Sequence, residues 1–236
     1  MEYHYYQKTG AYHTATGTSC QDAFLNIEDS TYSLIALADG VSACKYGKVG
    51  SEKTIEALWD FIRMEGDNVF LYSPQKLTYL LLEHVLYYLE LASLPETADI
   101  KEFSSTLAFA CIEKKTGRAV VGNLGDGSII GFVQNTIKLL SVPTRHANKP
   151  FVTTSKYANK AMIVQYYDLS LGDCILLGSD GFAHASLAIE RSGISITEVL
   201  EKFEFSELDR YLEEYPEADD CTYVAVKQSR KKTERK

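Results

Sequence analysis

The chain predicts an α+β layered fold, on three observations. A strand-like run is followed by two helices, a block of strand-like runs, further helix and a last strand, which is not the βαβα alternation of a parallel doubly wound sheet. Within the block, short turn sequences join neighbouring runs, as in antiparallel hairpins and meanders. Finally, 236 residues, 45% of them hydrophobic, supply one sizeable core. We expect one domain over residues 1–228 and a basic, disordered tail over 229–236, where no apolar residue occurs.

The first run, 32–38, is almost wholly apolar. The first helix follows, with Ile55, Leu58, Trp59 and Ile62 spaced i, i+3, i+4, i+7 on one face. Ser73 caps the second, Pro74 takes its first position, and Leu77, Leu81, Val85 and Leu89 repeat every four residues. Runs at 106–112, 118–124, 128–133, 137–142, 162–169 and 174–177 form the strand block. Lys115-Thr116-Gly117, Gln134-Asn135-Thr136 and Ser170-Leu171-Gly172-Asp173 supply its turns. Residues 143–160, with Pro143 and Pro150, read as a long loop of the kind that is often functional. A helix over about 196–211 and a strand over 221–226 close the pattern.

The net charge of -8 repels nucleic acid and anionic membrane surfaces while leaving room for cations. Five cysteines (Cys20, Cys44, Cys111, Cys174, Cys221) form no C-x-x-C pair, and no signal peptide is evident. No apolar run approaches 18 residues. A cytoplasmic, reduced protein is expected, neither exported nor membrane-spanning.

Three apolar runs end in Asp-Gly, at Asp39-Gly40, Asp126-Gly127 and Asp180-Gly181. Asp-Gly is also a strong hairpin signal, but a hairpin needs a second strand at once. Ser128 to Val133 meets that condition after Asp126, so a turn role remains open there. Helix-like sequence follows the other two, which a hairpin does not explain. Asp219-Asp220 stands before the last strand, and adjacent carboxylates repel unless a cation lies near. Asp22 precedes a short apolar stretch that begins at Ala23.

Carboxylates at strand ends make an all-oxygen site suited to Mg²⁺ or Mn²⁺. Two such ions acidify a water and neutralise a transferring phosphoryl group, so no protein nucleophile is needed. Other phosphate chemistries fail on spacing: no cysteine begins a C-x5-R loop, and Gly47-Lys48 is followed by Val49 with Ser42 at the P-loop glycine position. The five His and five Cys show no zinc-ligand spacing.

In their order these motifs resemble the protein phosphatase 2C, or metal-dependent protein phosphatase, family. Cys20-Gln21-Asp22-Ala23-Phe24, Ala38-Asp39-Gly40, Ser105-Thr106-Leu107, Gly122 to Gly127, Gly178-Ser179-Asp180-Gly181 and Asp219-Asp220-Cys221-Thr222 carry the likeness. The Cys-Gln-Asp-Ala form, with His13 upstream, and the Gly-Asp-Gly form are similar to a bacterial branch. The resemblance implies a four-layer α-β-β-α sandwich of two packed antiparallel sheets. It also implies a Mn²⁺- or Mg²⁺-dependent serine/threonine phosphatase, monomeric, acting on phosphoserine and phosphothreonine proteins opposite a Ser/Thr kinase. By the same likeness Asp39 bridges two metals, the Gly40 carbonyl binds one, Asp180 and Asp220 hold the other, Asp126 helps hold a third, and Asp22 orders water.

The chain departs from the family in three places. The family carries an Arg upstream of its first acidic motif to clamp phosphate, and the earliest Arg here is Arg63. Lys8, His13, Lys45 and Lys48 are the nearby cations, with His13 and Lys45 taken as substrate-binding; none has the bidentate fork of a guanidinium. Val41 stands where eukaryotic relatives have a His, and Ser42-Ala43 where glycines are common. These departures motivate the alternative, a catalytically weak phosphatase-like sensor or partner-binding module on the same fold.

Overall fold

The computed structural model describes residues 1–229. Apart from Ser229, the stretch expected to be a disordered tail lies outside the described residues. In chain order the elements are β1 (Glu2–Lys8), α1 (Ala11–Thr16), β2 (Asp22–Glu28), β3 (Tyr32–Asp39), α2 (Gly47–Glu65), α3 (Pro74–Ser93), β4 (Leu107–Glu113), β5 (Arg118–Leu124), β6 (Ser128–Val133) and β7 (Thr136–Ser141). They continue with β8 (Arg145–His146), β9 (Lys149–Pro150), α4 (Ala158–Ala161), β10 (Ile163–Asp168), β11 (Cys174–Gly178), α5 (Asp180–Arg191), α6 (Ile196–Lys202), α7 (Ser206–Glu214) and β12 (Cys221–Lys227).

Two five-stranded sheets, ordered β1-β12-β11-β6-β7 and β10-β5-β4-β3-β2, contain only antiparallel pairs. Their inner strands are buried on both faces, so side chains alternate between two cores rather than between core and water. On β3, Ile35 and Leu37 enter the core between the sheets, while Leu34, Ala36 and Ala38 pack toward α2 and α3. On β12, Val224 and Val226 enter the inter-sheet core, while Tyr223 and Ala225 pack with Leu200, Leu208 and Leu212 of α6 and α7. Three apolar cores between four layers make the α-β-β-α sandwich.

The helix signals act as expected at α3, where the Ser73 hydroxyl accepts from the Lys76 N–H at 3.3 Å and Pro74 opens the helix. The expected helix over 196–211 is two helices. Phe203 takes a positive φ of 57° and breaks it, while its ring packs edge-on against Phe205. The turns at 115–117 and 134–136 are hairpins, the second with positive φ at both Gln134 and Asn135. The turn at 170–173 instead carries the chain from one sheet to the other, because β10 and β11 lie in different sheets. Asp126-Gly127 does the same between β5 and β6, so its hairpin explanation falls. The 143–160 loop holds the β8-β9 ribbon and the short α4.

No helix among the described residues is long and apolar enough to cross a membrane.

Candidate metal centre

All three Asp-Gly corners leave their strands at one end of the sandwich. Carboxylate oxygens of Asp39, Asp126 and Asp180 lie within 4.8 Å of one another, and Asp180 belongs to a second group with His184 and Asp219. Backbone geometry enforces the convergence. Asp39 ends β3 directly opposite Asp22 on β2, a cross-strand pairing of like charges that is unfavourable by itself. The Asp39 N–H donates to the Thr106 hydroxyl at 2.9 Å, and its carbonyl accepts from the Thr106 N–H at 2.8 Å. Gly40 then passes so close to α2 that a Cβ there would run into the Gly47 carbonyl.

Asp180 opens α5, where the helix N-terminus favours an acid. Ser179 ties that start to β12, its hydroxyl donating to the Asp220 carbonyl at 3.2 Å and accepting from the Thr222 N–H at 3.0 Å. Gly181 lies against the Asp220 carbonyl with no room for a Cβ. Asp219 is thereby brought beside Asp180 and His184, with its carboxylate 3.6 Å from His184 Nδ1.

Asp220 turns the other way. Its Oδ1 accepts from the Gly10 N–H at 2.8 Å, and its Oδ2 accepts from the Gln21 N–H at 2.6 Å and from His13 Nδ1 at 2.9 Å. It is buried and belongs to neither oxygen-rich group among the described residues. His13, expected near substrate, is buried and spends one ring nitrogen on Asp220. Lys45 lies over the Tyr46 ring, 4.8 Å from its centroid. Lys48 donates to the Cys20 carbonyl, and Lys8 to the carbonyls of Leu212, Glu213 and Tyr215. Lys8 and His13 are held by these contacts, whereas Lys45 stays exposed and Lys48 partly so.

Electrostatics mark the cluster as built for a cation. Burial, and then the Asp22 and Asp180 charges, hold the Asp39 carboxyl well above its ordinary range. Burial pushes Asp22 from 3.8 up to about 8, with Asp220 adding repulsion. Asp180 rises from 3.8 to about 6 through burial and the charges of Asp126 and Asp219, which His184 partly offsets. Both Asp22 carboxylate oxygens, together with Gln21 Oε1 and Thr222 Oγ1, are buried without a hydrogen-bond partner. Unpartnered buried oxygens and crowded like charges are costly unless a positive ion joins them. The residues present therefore fit hard divalent cations.

Sequence reasoning singled out the Asp219-Asp220 pair but gave the ligand role to Asp220, and it missed His184 and Arg145. His184 stands four residues after Asp180 on one helix face, a spacing that could have found it. Arg145 Nη2 lies 3.3 Å from Asp126 Oδ2, and no motif announces it.

Layered sheets with clustered carboxylates at one end define a class, the α+β proteins with an acidic cation centre. Within it the chain belongs to the protein phosphatase 2C family, whose model matches residues 9–215. The serine/threonine phosphatase PstP/Ppp of Mycobacterium tuberculosis is similar in structure, with a TM-score of 0.68 and 17% identity over 97% of this chain and 99% of that one. Stp1, a serine/threonine phosphatase of Staphylococcus aureus, gives 0.64 at 16% identity over 96% and 94%. RsbX, solved in complex with magnesium, gives 0.64 at 13% over 94% and 92%. At these identities the likeness establishes the fold. No match was found among curated proteins.

Proposed function

We propose that the chain is a Mn²⁺- or Mg²⁺-dependent phosphatase of phosphoserine and phosphothreonine proteins, working opposite a Ser/Thr kinase. The observation that carries this reading is the convergence of Asp39, Asp126 and Asp180 oxygens within 4.8 Å. Asp39, Asp126 and Asp180 would hold the ions with the Gly40 carbonyl, and Asp219, with His184 beside it, takes the role first expected of Asp220. Ions bound there would supply the Lewis acidity that activates water and the charge that offsets phosphoryl oxygens.

The protein's own groups do the rest. Asp22, opposite Asp39 and with both carboxylate oxygens lacking a hydrogen-bond partner, is placed to accept a hydrogen bond from a water at the edge of the site. Asp220 acts through others, pinning His13, Gly10 and Gln21 so that the β12 start and Asp219 keep their place. His13 is accordingly a structural partner of Asp220, and Lys45, over the Tyr46 ring, belongs to neither acidic group.

Hydrolysis of a phosphopeptide with added Mn²⁺ tests the reading. Activity is expected to vanish in EDTA and in Asp39→Asn, and undiminished turnover under either condition refutes it. The sensor reading draws on the engagement of His13 and Lys8 elsewhere; robust Asp180-dependent turnover removes it.

A further inference from the structure

We propose that Arg145 is the phosphate clamp of this chain, its guanidinium receiving the phosphoryl oxygens of a phosphorylated serine or threonine side chain. This inference rests on the phosphatase reading for its substrate, but it comes from a different part of the molecule. Arg145 begins the β8-β9 ribbon, far in sequence from the upstream position where the family keeps its clamp.

The placement is built rather than incidental. Thr144, just before Arg145, is tied to Gly125, just before Asp126. The Thr144 N–H donates to the Gly125 carbonyl at 2.6 Å, and the Gly125 N–H donates to the Thr144 hydroxyl at 2.7 Å. Further along the same segment, the Thr153 N–H donates to the Ser105 carbonyl at 2.9 Å, beside the Thr106 that holds Asp39. Both attachments fix the segment to the strand ends that carry the acidic group.

Stability does not explain the Arg145–Asp126 pair. Arg145 is 44% exposed, and a pair with one exposed partner contributes about 0–1 kcal/mol at most. It touches Asp126 through one terminal nitrogen, which leaves most of its five donors for a ligand. A planar, half-exposed fork beside the acidic group can take two of the three non-bridging oxygens of a phosphate monoester. The surrounding charge agrees: residues 143–160 carry Arg145, Lys149, Lys156 and Lys160 and no Asp or Glu, in a chain of net charge -8. Among the described residues, Arg145 is the Arg or Lys that pairs with a member of the Asp39–Asp126–Asp180 group.

Inorganic phosphate is not consumed, so its binding to Mg²⁺-loaded protein, measured by titration calorimetry, reads the clamp whether or not the chain turns over. Arg145→Ala is expected to weaken phosphate about ten- to hundredfold, the value of losing charge-assisted hydrogen bonds. Arg145→Lys should recover part of that loss, and Lys53→Ala, which removes an exposed cation on α2, should bind as the wild type does. With a phosphopeptide under saturating Mg²⁺, kcat/KM should fall at least about tenfold in Arg145→Ala, with the rise in KM the larger part. Phosphate binding in Arg145→Ala within twofold of wild type overturns the clamp, as does a wild type that binds no phosphate. Arg145-dependent phosphate binding without hydrolysis of any phosphopeptide removes the phosphatase reading and leaves the clamp standing.

Discussion

Two adjacent aspartates separate the fold from the chemistry, and substituting them one at a time measures the separation. Asp220→Ala deletes a buried carboxylate that accepts from Gly10, Gln21 and His13 at 2.6–2.9 Å. It leaves two backbone donors and an imidazole buried without an acceptor. Hydrogen bonds to a charged group are worth about 1.5–3 kcal/mol each, but they share one carboxylate and are not additive, so about 3–5 kcal/mol is expected. At about 2–4 °C per kcal/mol for a chain of this size, melting should fall by roughly 10 °C. Asp219→Asn removes an exposed charge beside Asp180, so melting of the metal-free protein should hold or rise slightly, whereas Mn²⁺ affinity should fall at least about tenfold. Differential scanning calorimetry and Mn²⁺ titration on both variants make the comparison. A native-like melt with abolished Mn²⁺ binding in Asp220→Ala, together with unchanged binding in Asp219→Asn, would return the ligand role to Asp220.

Metal-free stability should depend on pH in the direction opposite to an ordinary salt-bridged protein. Folding raises Asp22 from 3.8 to about 8 and Asp180 from 3.8 to about 6, so the folded state binds more protons than the unfolded chain and loses stability as pH climbs through that window. Glu28 and Glu113, held below 4.5 by their hydrogen bonds and neighbouring positive charges, contribute stability that is lost only in more acid solution. Urea unfolding in EDTA should therefore give a higher free energy at pH 5 than at pH 8, by about 1–1.5 kcal/mol from Asp180 alone, since part of its cost is already incurred by pH 5. Saturating Mg²⁺ should reverse the trend, since its ligands bind deprotonated. A flat profile in EDTA would contradict the charge crowding. Separately, Gly40→Ala forces a methyl into the Gly47 carbonyl at the root of α2, and a loss of about 1–3 kcal/mol with weakened Mn²⁺ binding is expected; a neutral effect on both would show that the corner relaxes freely.

Why some of this was legible in the sequence and some was not follows from the range of each interaction. Helix faces and strand periods are local, so Leu77 to Leu89 and the runs around Ile35, Val121 and Leu176 could be read directly. β1 escaped because its tyrosines alternate with His4 and Gln7 on a half-exposed edge, a weaker signal than a buried run. Asp39 and Asp180 were legible because an Asp-Gly corner followed by helix has no hairpin explanation. Whether Asp219 or Asp220 faces the cluster is a different kind of question. Neighbouring residues before a strand point to opposite sides, and only the partners His13 on α1 and Gln21 just before β2, some 200 residues away, decide which carboxylate turns inward. Arg145 depends on longer geometry still. It reaches Asp126 because the β6-β7 hairpin returns the chain to the same strand ends and Thr144 fastens it there. A clamp supplied by this returning segment rather than by an N-terminal Arg ties substrate binding to the anchoring of 143–160, so loosening Thr144 or Thr153 should weaken phosphate as replacing Arg145 does, while leaving the Asp39–Asp180 cation site intact.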